Sequence, residues 1–273
     1  MTIKARHAVI TGGSRGIGKG IALKLAEHGV RIAVNYVRDE AAAKSTLAQI
    51  RERGSDGFIC QADVGRPGDV ARLFARVKDE FGSLDIFVSN ARGEVSTFYE
   101  PAMSIGLDKW DAAMDSQAKA FLVGARAAAE QMGAGGRIIA ITFAPGGRFG
   151  SWQSWVAMGA AKSALEVLSR YFAVALAPRG ITVNAISPGW VEDTVLNTLP
   201  EPVVQMSRDW HQSGWTPMGR IGTTADIGNA VSLLCSEEAG WITGQTIAVD
   251  GGASLMDSCL PLGIQQPPVA QPA

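Results

Sequence analysis

Residues Ile10–Leu25 read "ITGGSRGIGKGIALKL", a glycine-rich turn between a short apolar run and an amphipathic stretch. The run Thr11-Gly12-Gly13-Ser14-Arg15-Gly16-Ile17-Gly18 needs glycine for two reasons. The backbone must turn sharply, and its N–H groups must approach an anion with no Cβ in the way. A helix that begins here adds the positive end of its dipole. With 32 glycines in the chain some clustering arises by chance, but a strand before, a helix after and a place near the N-terminus mark a pyrophosphate-binding turn.

Outward from that turn, short apolar runs alternate with longer helical patterns. "HAVIT" (7–11), "RIAVNY" (31–36), "GFICQA" (57–62), "LDIFVSN" (84–90), "RIIAIT" (137–142), "ITVNAIS" (181–187) and "QTIAVDGG" (245–252) read as strands. Between them Gly18–His28, Glu40–Arg53, Val70–Phe81, Lys109–Met132 and Met158–Ala177 carry apolar residues at helical spacing. The alternation predicts an α/β fold: a single-domain, Rossmann-like, doubly wound parallel sheet of about seven strands with helices on both faces. Pro178 in "APRG" ends the helix that holds Lys162. From Trp190 to Gly219 the pattern weakens into a long loop with a short helix, the form of a substrate lid. The expected organisation is one domain over 1–258, its lid at about 190–219, and a proline-rich tail over 259–273, extended or disordered.

Composition narrows the function. Hydrophobic residues make up 47% and charged residues 19%, enough for a large core. Lys plus Arg (25) nearly balance Asp plus Glu (26), so nothing suggests nucleic acid or an anionic membrane surface as a partner. Cys60, Cys235 and Cys259 lack metal-ligand spacing, so no metal is expected and a reducing cytoplasm fits. No apolar run approaches the ~20 residues that span a bilayer. The expectation is a soluble, cytoplasmic protein.

Gly12, Gly16 and Gly18 are spaced GxxxGxG, and with this spacing the chain resembles the short-chain dehydrogenase/reductase family almost end to end. "ADV" (62–64) resembles the family's adenine-contacting turn and "SNAR" (89–92) its NNAG stretch. "SPGW" (187–190) is similar to the segment beside the nicotinamide, and "VDGG" (249–252) to the last strand. The resemblance implies a nicotinamide cofactor held by Gly12, Ser14, Arg15, Gly16, Ile17, Gly18, Asp63, Val64, Asn90, Ala91, Lys162, Pro188, Gly189 and Val191. Charge selects which cofactor: an acid at the end of the second strand would repel a 2′-phosphate, whereas arginine accommodates it. Asn35 stands at the acid's place, with Arg38 beyond and Arg15 in the turn, so NADP(H) is expected. The following Asp39 and Glu40 leave open that both arginines are only solvated surface residues.

The family reduces carbonyls with a serine and a tyrosine on the substrate oxygen, a lysine on the ribose and an asparagine in a proton relay. Carried onto this chain, the lysine is Lys162, the tyrosine position is Met158 and the asparagine position is Gln117. The serine position falls near Phe143, with Thr142 as a stand-in. Some enoyl reductases of the family place their tyrosine seven residues before the lysine, and here that residue is Trp155. A ketone that accepts hydride becomes an alkoxide that needs a positioned acid, worth roughly 10²–10⁴-fold. Methionine has no proton to give, and an indole N–H only donates a hydrogen bond. A conjugated alkene gives a delocalised enolate, which hydrogen bonding alone stabilises.

The leading reading is therefore an NADPH-dependent reductase of a C=C bond conjugated to a carbonyl, with Trp155, Thr142, Gln117 and Arg92 as candidate donors. Each has a plainer role open to it: Trp155 as pocket wall, Gln117 in helix contacts, Arg92 in a surface pair with Glu94, Lys162 as an exposed helix lysine. Trp152, Trp155, Trp190, Trp210 and Trp215 border the expected pocket and suit a small-molecule or acyl-type substrate. Alternatives are a carbonyl or imine reductase whose acid is His211 or Tyr99, and a non-redox or nucleotide-binding scaffold. Small residues along 109–132 and 156–177 and the family's habit of pairing those helices imply a homotetramer or homodimer.

Overall fold

The computed structural model describes residues 2–143, 154–193, 196, 199–257, 259, 260 and 262–265. Seven short strands are β1 (His7–Ile10), β2 (Arg31–Tyr36), β3 (Gly57–Gln61), β4 (Ile86–Ser89), β5 (Arg137–Ile141), β6 (Thr182–Pro188) and, last in the chain, β9 (Thr246–Val249). They form one sheet in the order β3-β2-β1-β4-β5-β6-β9, and every neighbouring pair is parallel. Both faces are covered, which is why the strands read as near-continuous apolar runs.

Side chains along each strand alternate between two cores, as a period of two requires. Ala8, Ile10, Ile32, Val34, Ile86, Val88, Ile139 and Ile186 join one core. It is completed by α1 (Gly16–Ala26), α2 (Glu40–Glu52) and α8 (Thr224–Cys235). Val9, Ala33, Phe87, Ile138, Ala140, Val183 and Ala185 face the other core. There they meet α3 (Pro67–Phe81), α5 (Ala120–Gln131) and α6 (Val156–Leu176).

Three expectations change in detail. The helix predicted over 109–132 is α4 (Leu107–Met114) and α5 joined by a π-turn at Asp115–Lys119. The extra residue in that turn re-aims the side chains around Gln117 and Ala118, both buried. The segment predicted as a loop over 190–219 is more ordered. It contains β7 (Val191–Glu192) and α7 (Glu201–Trp210), followed by a second π-turn at His211–Trp215 and, at its exit, β8 (Gly222–Thr223). Val191 pairs with Gly222 and Glu192 with Thr223, so the excursion leaves and returns at one small two-stranded clasp. Its exit is fixed by a capping box between Thr223 and Asp226 and by the Arg220 fork on Asp226 at 2.7 and 2.9 Å. Near the C-terminus Leu262–Gln265 forms one helical turn, α9, where an extended or disordered tail was expected. Among the described residues no helix is long and apolar enough to cross a membrane, and no cluster of His, Cys, Asp and Glu could hold a metal.

Helices α1 and α8 touch backbone to backbone. A Cβ on Gly20 would come within 2.5 Å of the Thr224 carbonyl oxygen, and one on Gly228 within 2.8 Å of the Gly20 carbonyl oxygen. Gly20→Ala should therefore destabilise the protein by about 1–3 kcal/mol through overpacking, although alanine is the better helix former by ~1 kcal/mol. A lowered urea midpoint with an unchanged m-value is the expected result, and a raised midpoint would refute the close approach.

Candidate active site

A cleft of about 660 Å³ opens at the C-terminal ends of the strands, where β1 and β4 lead the chain in opposite directions across the sheet. Gly12 follows β1, Asn35 and Tyr36 end β2, Asp63 follows β3, Asn90 follows β4, Ile141 ends β5 and Pro188 ends β6; all line it. The volume lies within the range of small-molecule and cofactor sites.

The glycine turn meets the demands of a pyrophosphate. Gly12 and Gly16 have φ of +63° and +55°, conformations that side chains rarely adopt. Arg15 precedes α1 with extended backbone and no side-chain cap, which leaves the first N–H groups of the helix to an anion. Gly18 is buried beneath the turn and does not line the cleft. Its absent Cβ would lie 2.3 Å from the Gly12 carbonyl oxygen, so a side chain there would not fit beneath the turn.

Side-chain hydrogen bonds hold this turn from both flanks. Thr11 Oγ1 accepts from the backbone N–H groups of Asn90 (2.9 Å) and Ala91 (3.1 Å). Asn90 Nδ2 donates to the carbonyls of Thr11 (2.9 Å) and Gly12 (3.3 Å). Asn35, wholly buried, accepts from the Gly12 N–H at 3.2 Å and donates to the Ala62 carbonyl at 2.9 Å. Its amide thus ties β1's turn to β3 rather than reaching outward to a ribose. Arg15 and Arg38 both line the cleft, and Arg38 pairs with Glu94 across its mouth. Arg38 is thus a surface partner of Glu94. Asp63, Val64, Ala91, Gly189 and Val191 complete the lining expected for the cofactor.

At the far end Lys162 projects from α6 into the cleft, buried, and donates to the Ile141 carbonyl at 2.6 Å. It is not an exposed helix lysine. Burial, with the positive charge of Arg92 adding to it, pushes its ammonium down to about 7. Met158, one turn earlier, also lines the cleft and is 1% exposed. It belongs to a small apolar cluster with Phe98, Ala113, Trp155 and Ala157. Trp155 packs edge-on against Phe98 (5.0 Å) and Tyr99 (6.1 Å), walling this end. Thr142 Oγ1 lies 3.2 Å from both Glu166 Oε1 and the Ile186 carbonyl. Arg92 lines the cleft, donates to the Gly93 carbonyl at 2.9 Å, and is drawn by Asp193 and repelled by Arg15.

Several expected residues stand elsewhere. Gln117 does not line the cleft; it lies behind it, buried, and donates to the Ala91 carbonyl at 2.8 Å. Trp210 and Trp215 stack on each other at 5.0 Å, outside the lining, with Trp210 55% exposed. His211 is buried beside Thr216, also outside the lining, with burial lowering its pKa. Trp190 does line the cleft, and Trp152 lies outside the described residues. Asp193, Leu196 and Leu199 in the lining and Thr11 beneath the turn are the additions, and Tyr99, named as a candidate acid, lines the cleft. Thr11 carried a signal in the sequence as the residue that opens the turn, whereas the lid residues carried none.

The position of Lys162 has a consequence for stability. An unfolded-chain lysine titrates near ~10.4, so between about 7 and that value the unfolded chain binds one more proton than the folded one. Stability of the cofactor-free protein therefore gains from Lys162 as pH rises through this window. Urea denaturation of the parent and of Lys162→Met across the window should show the parent gaining on the variant with rising pH; a constant difference would overturn the assignment.

The chain matches the enoyl-(acyl carrier protein) reductase family over residues 12–254. It is 36% identical over 253 residues to 1-cyclohexenylcarbonyl-CoA reductase of Streptomyces collinus, covering 91% of this chain and 87% of that one. It is 34% identical to 3-oxoacyl-[acyl-carrier-protein] reductase FabG of Staphylococcus epidermidis, covering 90% and 98%. The crystal structure of angucycline C-6 ketoreductase LanV with bound NADP superposes with a TM-score of 0.82 at 32% identity, covering 92% and 96%. The chain belongs to the short-chain dehydrogenase/reductase family.

Proposed function

We propose that this protein is an NADP(H)-dependent oxidoreductase that reduces a C=C bond conjugated to a carbonyl, without a side-chain acid one turn before its lysine. The observation that carries the reading is Met158, buried at the cleft wall where a tyrosine would supply a proton. The glycine turn would hold the pyrophosphate, Arg15 and Arg38 the 2′-phosphate, Asp63 and Val64 the adenine end, and Pro188, Gly189 and Val191 the nicotinamide. When bound, NADPH supplies a hydride. Lys162 would hold the ribose, and Met158 and Trp155, backed by Phe98, would give the reacting end an apolar wall. The relative from Streptomyces collinus is named for a cyclohexenylcarbonyl thioester, an alkene beside a carbonyl.

The lid reading narrows with the geometry: Trp190, Val191, Asp193, Leu196 and Leu199 line the cleft, and the later tryptophans do not. The domain limits of 1–258 are part of the same proposal. A second copy of the chain fits the exposed apolar face of α6, where Val167, Tyr171 and Val174 lie at helical spacing; light scattering of a monomer would remove that partner.

One observation favours a second reading. Tyr99 lines the cleft, 41% exposed, and a phenol there could protonate an alkoxide. Carbonyl reduction would then resemble that of the 3-oxoacyl reductases and ketoreductases to which the chain is similar.

NADPH oxidation followed with enones, enoyl thioesters and ketones separates the two. The alkene reading expects turnover of conjugated alkenes, unaffected by Tyr99→Phe, and slow ketone reduction that Met158→Tyr accelerates. Ketone turnover that drops by roughly 10²-fold or more in Tyr99→Phe, with no alkene turnover, would establish the second reading instead. Arg38→Ala should weaken NADPH binding by roughly 10–100-fold, the worth of a charge-assisted hydrogen bond, and leave NADH binding unchanged. Equal losses for both cofactors would take the 2′-phosphate away from Arg38.

A further inference from the structure

A hydride added to the β-carbon of a conjugated alkene moves the alkene π pair between the α-carbon and the carbonyl carbon. The carbonyl π pair moves onto oxygen. The alkene gains two electrons, NADPH loses them, and water later delivers the proton that completes the product at the α-carbon. Between these events an oxyanion sits in the cleft. It needs a donor that strengthens with its charge.

We propose that Arg92 is the catalytic residue that holds this oxyanion. The inference rests on the alkene reading above and names the group that makes it chemically workable. Arg92 stands in the loop after β4, its neighbours fixed from two sides. Thr11 holds the Asn90 and Ala91 N–H groups, and Gln117 holds the Ala91 carbonyl. The side chain lines the same cleft as Lys162, Met158 and Thr142.

Of the other donors, Gln117, Thr142 and Lys162 are already engaged, and the indole N–H of Trp155 carries no charge to answer an oxyanion. Gln117 gives its amide to Ala91 from behind the cleft. The Thr142 hydroxyl has Glu166 and Ile186 as acceptors. Lys162 spends one proton on the Ile141 carbonyl at 2.6 Å. Arg92, with five N–H donors, gives one hydrogen bond, to the carbonyl of its own neighbour Gly93. Its charge is felt by Lys162 and is itself opposed by Arg15, with Asp193 as the acid that draws it. Near Lys162 the acids are Asp193, which draws Arg92, and Glu166, which is buried behind Thr142.

Guanidinium is also the right chemistry. It stays protonated at any working pH, so it can bind an enolate oxygen but cannot hand over a proton to it. Protonation is thereby left to carbon, as alkene reduction requires. Glycine, which the family carries at this position, offers no such donor, so the arginine stands with Met158 as a paired departure: one removes an acid, the other adds a fixed cation.

The test uses the NADP⁺-loaded enzyme and para-nitrophenol, whose phenolate is a planar oxyanion with its own absorbance. The parent should bind the phenolate preferentially and lower the apparent pKa of the bound phenol by about 1–3 units. Arg92→Met should abolish that shift while NADP⁺ binding, read by fluorescence quenching, stays intact. Its kcat on a conjugated alkene should fall by roughly 10²-fold. Arg92→Lys, which keeps the charge and loses the fork, should retain part of both. Identical phenol titrations in the parent and Arg92→Met overturn the assignment, as does an unchanged kcat. If the parent turns over ketones and no conjugated alkene, the alkene reading falls separately, and the phenolate titration still decides whether Arg92 holds an oxyanion.

Discussion

Everything at the cleft depends on the hydrogen bonds between the Thr11 hydroxyl, the Asn90 amide and the glycine turn. β1 and β4 are neighbours in the sheet, yet the chain leaves them toward opposite edges. The crevice so formed would splay if its two lips were not joined. Thr11 and Asn90 join them through four short bonds, and Asn35 ties the same turn to the β2 side. Buried polar groups are stable only when partnered, so these three side chains hold the turn open and rigid with its helix N–H groups facing outward.

From that frame the charge distribution follows. Lys162 and Arg92 enter a desolvated end from α6 and the β4 loop, and burial together with the charge of Arg92 disfavours the ammonium of Lys162. A fold tolerates such a pair only where an anion is expected or where another element demands the placement. Here Lys162 is fixed by the Ile141 carbonyl and by its turn of helix above Met158. Arg92 is fixed through the backbone beside it. The apolar cluster around Trp155 lowers the local dielectric and so strengthens the field these cations exert on anything placed between them.

The sheet was legible because burial on both faces leaves a simple trace: runs such as "RIIAIT" and "RIAVNY" contain little but apolar and β-branched residues. The long helices were legible from their spacing, with ends that differ by a few residues. The π-turn at Asp115–Lys119 was not legible, because an extra residue in a helix leaves its composition unchanged. It is nevertheless what accompanies Gln117 in its position behind the cleft. The tryptophans misled for a related reason. Aromatic residues near a pocket in sequence can pack on one another, as Trp210 and Trp215 do.

By itself the sequence determined the layered sheet, the glycine turn, the cation inside the turn and the methionine one turn before Lys162, because each is a local pattern of period, backbone freedom or chemical identity. Only the tertiary structure decided that Asn35 turns inward, that no side chain fits at Gly18, that Arg38 meets Glu94, and that Arg92 and Lys162 share one desolvated end. Those outcomes depend on distances between segments far apart in the chain, and no local pattern encodes which of several satisfied hydrogen-bonding partners a side chain will meet once the strands are in register.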